Sequence, residues 1–224
     1  MSRAGEIAAR RADVLARIAD AERKAGRPAG SVALVAVGKT YPIEDLVAAH
    51  AAGARAFGEN RVKEAEAKFP LLPPGCARHL IGPIQSNKAN RAAKLADVVE
   101  TVDSKDLARR LDRAAAAEGK TLEVFVQVRL GGEATKSGVE PKDAPALVEA
   151  VRKLPALRLL GFMTIPPPGD TRPHFASLRQ LAEPLGLAGL SMGMSDDFEG
   201  AIAEGATHVR VGSAIFGERR REIS

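Results

Sequence analysis

Val32-Ala-Leu-Val-Ala-Val-Gly-Lys39 sets an unbroken aliphatic run, Val32 to Val37, against a lysine two positions beyond its end. A run this uniform and rich in β-branched residues reads as a strand buried on both faces, as in a parallel sheet flanked by helices. Its carboxyl end is then where functional groups gather. A lysine held partly out of water there loses some preference for the ammonium form, and its neutral amine can attack a carbonyl to form a Schiff base. The plainer alternative is that Lys39 snorkels from the rim of a strand. The lysine alone leaves both readings open.

Outward from this run the chain alternates short apolar segments with helical stretches. An opening helix carries Ile7, Val14, Leu15 and Ile18 on one face. Strands are expected at Val32–Val37, Ala54–Phe57, His79–Ile81, Val98–Thr101, Leu122–Val128, Leu157–Phe162, Gly189–Met192 and His208–Val211. Pro42 and Gly53 punctuate the first intervening helix, Ser86 or Asn87 is expected to cap another, and Ser104 precedes the run to Glu118. The pattern predicts an α/β protein, a single (β/α)8 TIM-type barrel with an extra N-terminal helix, residues 1–224 forming one domain. A doubly wound open sheet is the alternative. Against it stands the lack of a G-x-G-x-x-G turn or Walker A loop, which would have located a nucleotide site in such a sheet.

Composition narrows the function. The chain has 224 residues, 45% hydrophobic and 27% charged, ordinary for a globular protein and unlike a disordered one. The net charge is +5, but 33 basic residues are interleaved with 28 acidic ones and no basic stripe with aromatics appears, so no nucleic-acid partner is expected. Arg219, Arg220 and Arg221 cluster at the C-terminus and read as a solvated tail. The lone Cys76 excludes an internal disulfide and a thiolate metal centre. No aliphatic run approaches a membrane span and the N-terminus lacks an apolar signal core, so a cytoplasmic protein without membrane association is expected. No coiled-coil repeat stands out, and a monomer is expected.

In a barrel the residues just after each strand carry the chemistry. Strand one gives Lys39 and Thr40, strand two Gly58-Glu-Asn60, strand seven Ser191-Met-Gly-Met-Ser-Asp-Asp197 and strand eight Arg210-Val-Gly-Ser-Ala-Ile-Phe-Gly217. Gly212 and Ser213 open a short helical stretch, so their N–H groups can point at a phosphate, with Ser191 or Ser195 adding a hydroxyl. Closure of the barrel puts strand one beside strand eight, and so an amine beside a phosphate site. A phosphorylated aldehyde fits both. Pyridoxal 5'-phosphate is one and an aldolase's sugar phosphate is another, and spacing does not choose between them.

Val37-Gly-Lys-Thr-Tyr-Pro42, Gly58-Glu-Asn60, His79-Leu-Ile-Gly82 with Gln85-Ser-Asn-Lys88, Gly161-Phe-Met-Thr-Ile-Pro166, Leu190-Ser-Met-Gly-Met-Ser-Asp-Asp197 and Arg210 to Gly217 together resemble the pyridoxal phosphate homeostasis protein family, in order and over nearly the whole chain. The resemblance implies a barrel similar to the N-terminal domain of alanine racemase, with Lys39 bound covalently to the cofactor as a Schiff base. It assigns Ser191, Gly212 and Ser213 to the phosphate, Arg210 to the pyridine nitrogen and Asn60 to the pocket lining. Departures from the family pattern are Gly38 and Tyr41, where Ser-Lys-Thr-Lys-Pro is more usual, Pro83 in place of a common histidine, and Arg129 in place of a usual asparagine.

Binding need not mean catalysis. A guanidinium only donates, so Arg210 pairs with an unprotonated ring nitrogen and leaves a weaker electron sink. A racemase also needs a second base, typically a tyrosine from another domain and subunit, whereas this chain ends soon after strand eight and its single tyrosine, Tyr41, reads as a packing group. The expectation is a carrier that binds, buffers and delivers pyridoxal 5'-phosphate, with apo-enzymes dependent on that cofactor as recipients. A racemase-like enzyme and a sugar-phosphate aldolase are the alternatives. Lys136 in a glycine-flanked loop is a candidate transient acceptor during transfer, against simple solvation; His50, His79, His174 and His208 show no metal spacing and read as structural; and Asp196 and Asp197 read as helix-capping carboxylates.

Overall fold

Eight short runs of β-branched and apolar residues become the eight strands of one closed parallel barrel, in a computed structural model that describes residues 1–131 and 137–218. The strands are β1 (Ala33–Val37), β2 (Ala56–Glu59), β3 (Ala77–Leu80), β4 (Val98–Val102), β5 (Leu122–Gln127), β6 (Leu157–Met163), β7 (Gly189–Ser191) and β8 (His208–Val211). Each pairs with its sequence neighbour, and β1 pairs with β8 to close the ring, Val35 standing opposite Arg210. The open-sheet alternative is thereby excluded.

Helices α1 (Arg3–Lys24), α2 (Ile43–Ala51), α3 (Val62–Lys68), α4 (Ala89–Leu95), α5 (Lys105–Ala117), α6 (Ala144–Arg152), α7 (Arg172–Ala182), α8 (Phe198–Ala203) and α9 (Ser213–Phe216) surround the strands. Ser104 caps α5 by accepting the Leu107 N–H, as its position suggested. Ser86 and Asn87 do not cap α4: they form a 3-10 turn before it, and Lys88 occupies the cap position without a side-chain bond. The extra helix α1 buries Ile7, Val14 and Ile18, while Leu15 stays 37% exposed because one residue further turns it about 100° away from that stripe. Arg11 of α1 donates to the Ala52 and Gly53 carbonyls after α2, and Glu22 accepts the Gly30 and Val32 N–H groups. These bonds seat α1 across the seam where the barrel closes.

Two layers of side chains matter for the site. Between barrel and helices, Phe57, Phe162, Leu46 and Leu111 are fully buried. Inside the barrel, Val98, Phe125 and Met163 form an apolar floor on which His208 sits edge-on, 5.1 Å from the Phe125 ring. Burial lowers the His208 pKa, so its imidazole stays neutral there. Above this floor the interior turns polar.

Candidate functional site

A cavity of about 260 Å³ opens at the carboxyl ends of the strands. Lys39, Asn60, Arg210, Gly212 and Ser213 line it together, with Val37, Ile81 and Ser195, while Ile165 and Met194 form a partly exposed apolar rim. A larger furrow of about 490 Å³ runs past Ser86, Asn90, Arg110 and Arg113, but it lies on the flank and Lys39 does not line it. The barrel mouth is the site because the strand ends converge there.

Each wall has a local cause. Lys39 is half-buried because β1 ends at Val37, and the Gly38 N–H still bonds the Gly58 carbonyl, keeping the next residue on the ring. Asn60 follows β2, and its carbonyl lies so close to Gly82 that a Cβ there would stand 2.1 Å away, so only glycine lets the ends of β2 and β3 meet. On the opposite side the N–H groups of Gly212 and Ala214 approach the Ser195 hydroxyl oxygen at 3.3 and 3.4 Å, gathering donors where α9 begins.

Arg210 forms the floor. It is 3% exposed, and its Nη1 donates to Ser191 Oγ at 2.7 Å while Nη2 donates to the Thr164 carbonyl at 2.8 Å. Ser191 in turn donates to Glu100 Oε2 at 2.6 Å, and Glu100 Oε1 lies 2.7 Å from His79 Nδ1. A carboxylate only accepts, so Nδ1 carries the proton. Burial alone would raise the Glu100 pKa, but the His79 bond and charge, Arg210 and the Ser191 hydroxyl together hold it at about 2. The buried guanidinium therefore has a buried counter-charge 3.8 Å away. A half-buried amine, converging N–H and hydroxyl donors and a fixed guanidinium form a donor set suited to a molecule bearing a carbonyl, an anion and a neutral acceptor.

Residues 12–220 match the family described as alanine racemase, N-terminal domain. The chain is 49% identical over 222 residues to the pyridoxal phosphate homeostasis protein of Pseudomonas aeruginosa, covering 95% of this chain and 96% of the relative. The chain belongs to the pyridoxal phosphate homeostasis protein family. Among solved structures, PipY of Synechococcus elongatus with PLP bound superposes with a TM-score of 0.83 at 39% identity, covering 94% of this chain and all of PipY. Alanine racemase of Bartonella henselae, at 14% identity and a TM-score of 0.72 over 98% of this chain and 61% of its own, shares the fold.

Of the residues the sequence singled out for this homeostasis-family site, Ser191 is the one the structure sets apart. Its hydroxyl is fully buried between Glu100 and Arg210, below the cavity, because a side chain on β7 that faces inward meets the interior network. Ser195, on the loop that follows, occupies the place by Gly212 instead. Asp197 holds the N-cap position of α8 but accepts the Met194 N–H instead of a helix N–H, and Asp196 lines the cavity. His79, read as structural, is part of the interior charge network. Glu100 went unnoticed, although a charge inside Val98-Val-Glu-Thr-Val102 was its signal.

The departures from the family pattern also have places. Gly38 leaves no room for a side chain, since a Cβ would stand 2.8 Å from Leu46 Cδ2 and 2.9 Å from Glu59 Oε1. Tyr41 is buried, donates to the Gly217 carbonyl at 2.6 Å and packs on Phe216. Arg129 pairs with Glu140, and Pro83 is exposed. Lys136 and Arg219, Arg220 and Arg221 lie outside the described residues. Among the described residues no helix is long and apolar enough to cross a membrane.

Proposed function

We propose that this barrel binds and carries pyridoxal 5'-phosphate, holding it for delivery to cofactor-dependent apo-enzymes and so acting on amino-acid and keto-acid balance. The observation that carries this reading is the convergence of Lys39, Arg210 and the Ser195, Gly212 and Ser213 donors on one cavity. The cofactor supplies an aldehyde that joins reversibly to an amine and a ring that draws electrons. Lys39 provides the amine. Gly212, Ser213 and Ser195 hold the phosphate, Asn60 closes the wall beside Lys39, and Arg210 donates to the ring nitrogen. Ser191 and Glu100 act one step back, fixing the guanidinium. We take residues 1–224 as one binding domain that works as a cytoplasmic monomer.

Turnover is not part of the proposed role. Arg210 keeps its proton even though burial lowers its pKa, so it favours an unprotonated ring nitrogen and a weak electron sink. The Tyr41 hydroxyl is committed to Gly217 and does not line the cavity, so it is not placed as a second base. The test is the absorption spectrum of the protein and of Lys39→Ala with and without pyridoxal 5'-phosphate, followed by borohydride reduction and peptide mapping. A band trapped on Lys39 and missing from the variant supports the reading. No band and no trapped lysine would overturn it and favour a sugar-phosphate aldolase; exchange of an amino-acid α-proton with solvent would favour a racemase.

A further inference from the structure

Behind the wall that carries Lys39 lies a part-buried charge cluster, centred on a fully buried carboxylate, that the cofactor reading does not use. Glu59, the last residue of β2, has no exposed surface, and its Oε1 accepts from Lys68 Nζ at 2.8 Å while its Oε2 is buried without a partner. The same Lys68 ammonium donates to the Gly38 carbonyl at 2.8 Å and stands 3.5 Å from Glu64 Oε2. Glu64 Oε2 accepts the Thr40 N–H at 3.1 Å. The main chain is thus gripped immediately before and immediately after Lys39, by side chains of one helix, α3, tied to the end of β2.

This grip falls where the backbone needs it. Thr40 has φ of 70°, a left-handed conformation that a β-branched residue adopts only under constraint. Gly38, on the other side, has its Cβ position filled by Glu59 and Leu46. A buried Lys–Glu pair is a poor device for stability alone, because desolvation cancels much of its attraction. Its bonds do fix direction, and small displacements of a reacting amine cost heavily in attack geometry.

We propose that Glu59, Lys68 and Glu64 are positioning residues that set the Gly38-Lys39-Thr40 segment, and so aim the Lys39 amine into the cavity. The proposal rests on Lys39 being the attachment point. The cluster also gives the site a pH response. Burial raises the Glu59 pKa to about 7 against the opposing pull of Lys68. The charged groups facing Glu59 are Lys68 and Glu64, both from α3; α2 presents apolar Leu46, and the chain just after β1 presents Gly38. Below neutrality Glu59 takes up a proton, Lys68 loses its closest counter-charge, and the hold on the segment slackens.

The test compares two ligands on the full chain: pyridoxal 5'-phosphate, followed by absorption and borohydride trapping, and pyridoxine 5'-phosphate, which has the same ring and phosphate but no carbonyl, followed by calorimetry. Glu59→Gln is expected to weaken pyridoxal 5'-phosphate about tenfold near pH 8, the loss of one charge-assisted bond, while leaving pyridoxine 5'-phosphate unchanged. The wild type should lose more affinity for the aldehyde between about pH 8 and pH 6 than Glu59→Gln does. Glu64→Gln, at a less buried position, is expected to reproduce the selective loss through Thr40 and serves if Glu59→Gln does not fold. Equal weakening of both ligands, or of neither, in wild-type-like folded variants overturns the proposal. A wild type that traps nothing on Lys39 sinks the cofactor reading itself, a result distinct from a wild type that binds and variants that match it.

Discussion

The Ser191 hydroxyl donates to Glu100 Oε2 across 2.6 Å inside the barrel, which makes it a link between two buried charges, since the same oxygen accepts from Arg210. Ser191→Ala therefore leaves Glu100 and Arg210 each short of a partner. The expected loss of stability is about 1–3 kcal/mol, read from urea unfolding. Ser195→Ala, at the cavity surface, is expected to cost under about 1 kcal/mol of stability yet to weaken cofactor binding. If instead Ser191→Ala abolished phosphate retention at unchanged stability, the assignment of Ser191 to the interior network would be wrong.

Glu100 makes the fold sensitive to acid. Its folded pKa, about 2, lies below the ordinary 4.5, so the stability it supplies is complete above 4.5 and is lost as pH falls toward 2. In Glu100→Gln the unfolding free energy is expected to lose its slope in that window. At neutral pH the variant should be less stable by roughly 3 kcal/mol, because Arg210 is left buried without its counter-charge. Denaturant midpoints across the acid range check both, and an unchanged acid slope would contradict the first.

Glu59 acts with the opposite sign. Its folded pKa is raised from 4.5 to about 7, so the folded state binds the proton more readily than the unfolded chain between those values. Its burial cost is fully present above pH 7 and is relieved as pH falls toward 4.5, with a slope of at most about 1.4 kcal/mol per pH unit. The wild type should gain stability relative to Glu59→Gln as pH drops through this window, while its hold on the aldehyde ligand weakens. Thermal unfolding and ligand titration on the same samples separate the two trends.

The sequence carried the barrel because its strands are short apolar runs whose ends coincide with glycine, proline or charged residues. Boundaries moved where that contrast fades: β3 begins at Ala77, two residues before His79, since Ala77 and Arg78 are only partly buried. Lys39, Asn60, Arg210, Gly212 and Ser213 were legible as strand-end residues because closure of a parallel barrel gathers such ends. Ser191 was legible as a strand end too, but not its inward direction, since the three-residue β7 gives too little alternation to say which face its last side chain takes. The Glu59–Lys68 pair had no periodic signature either. Nine positions separate its members, and they meet because α3 folds back over the end of β2.

Tyr41 provides the remaining check on the distinction between carrying and catalysis. Its hydroxyl donates to the Gly217 carbonyl at 2.6 Å, and its ring lies 4.9 Å from that of Phe216, so it pins the end of α9, the helix that opens at the proposed phosphate site. Tyr41→Phe keeps the ring contact and removes one part-buried hydrogen bond. It is expected to cost about 1 kcal/mol, a shift of a few degrees in Tm, with borohydride trapping on Lys39 retained. Because the hydroxyl does not line the cavity, exchange of an amino-acid α-proton with deuterated solvent, followed by NMR, should be the same in variant and wild type. Measurable exchange in the wild type that vanished in Tyr41→Phe would make Tyr41 a proton-transferring group after all, and would return the racemase-like reading to first place.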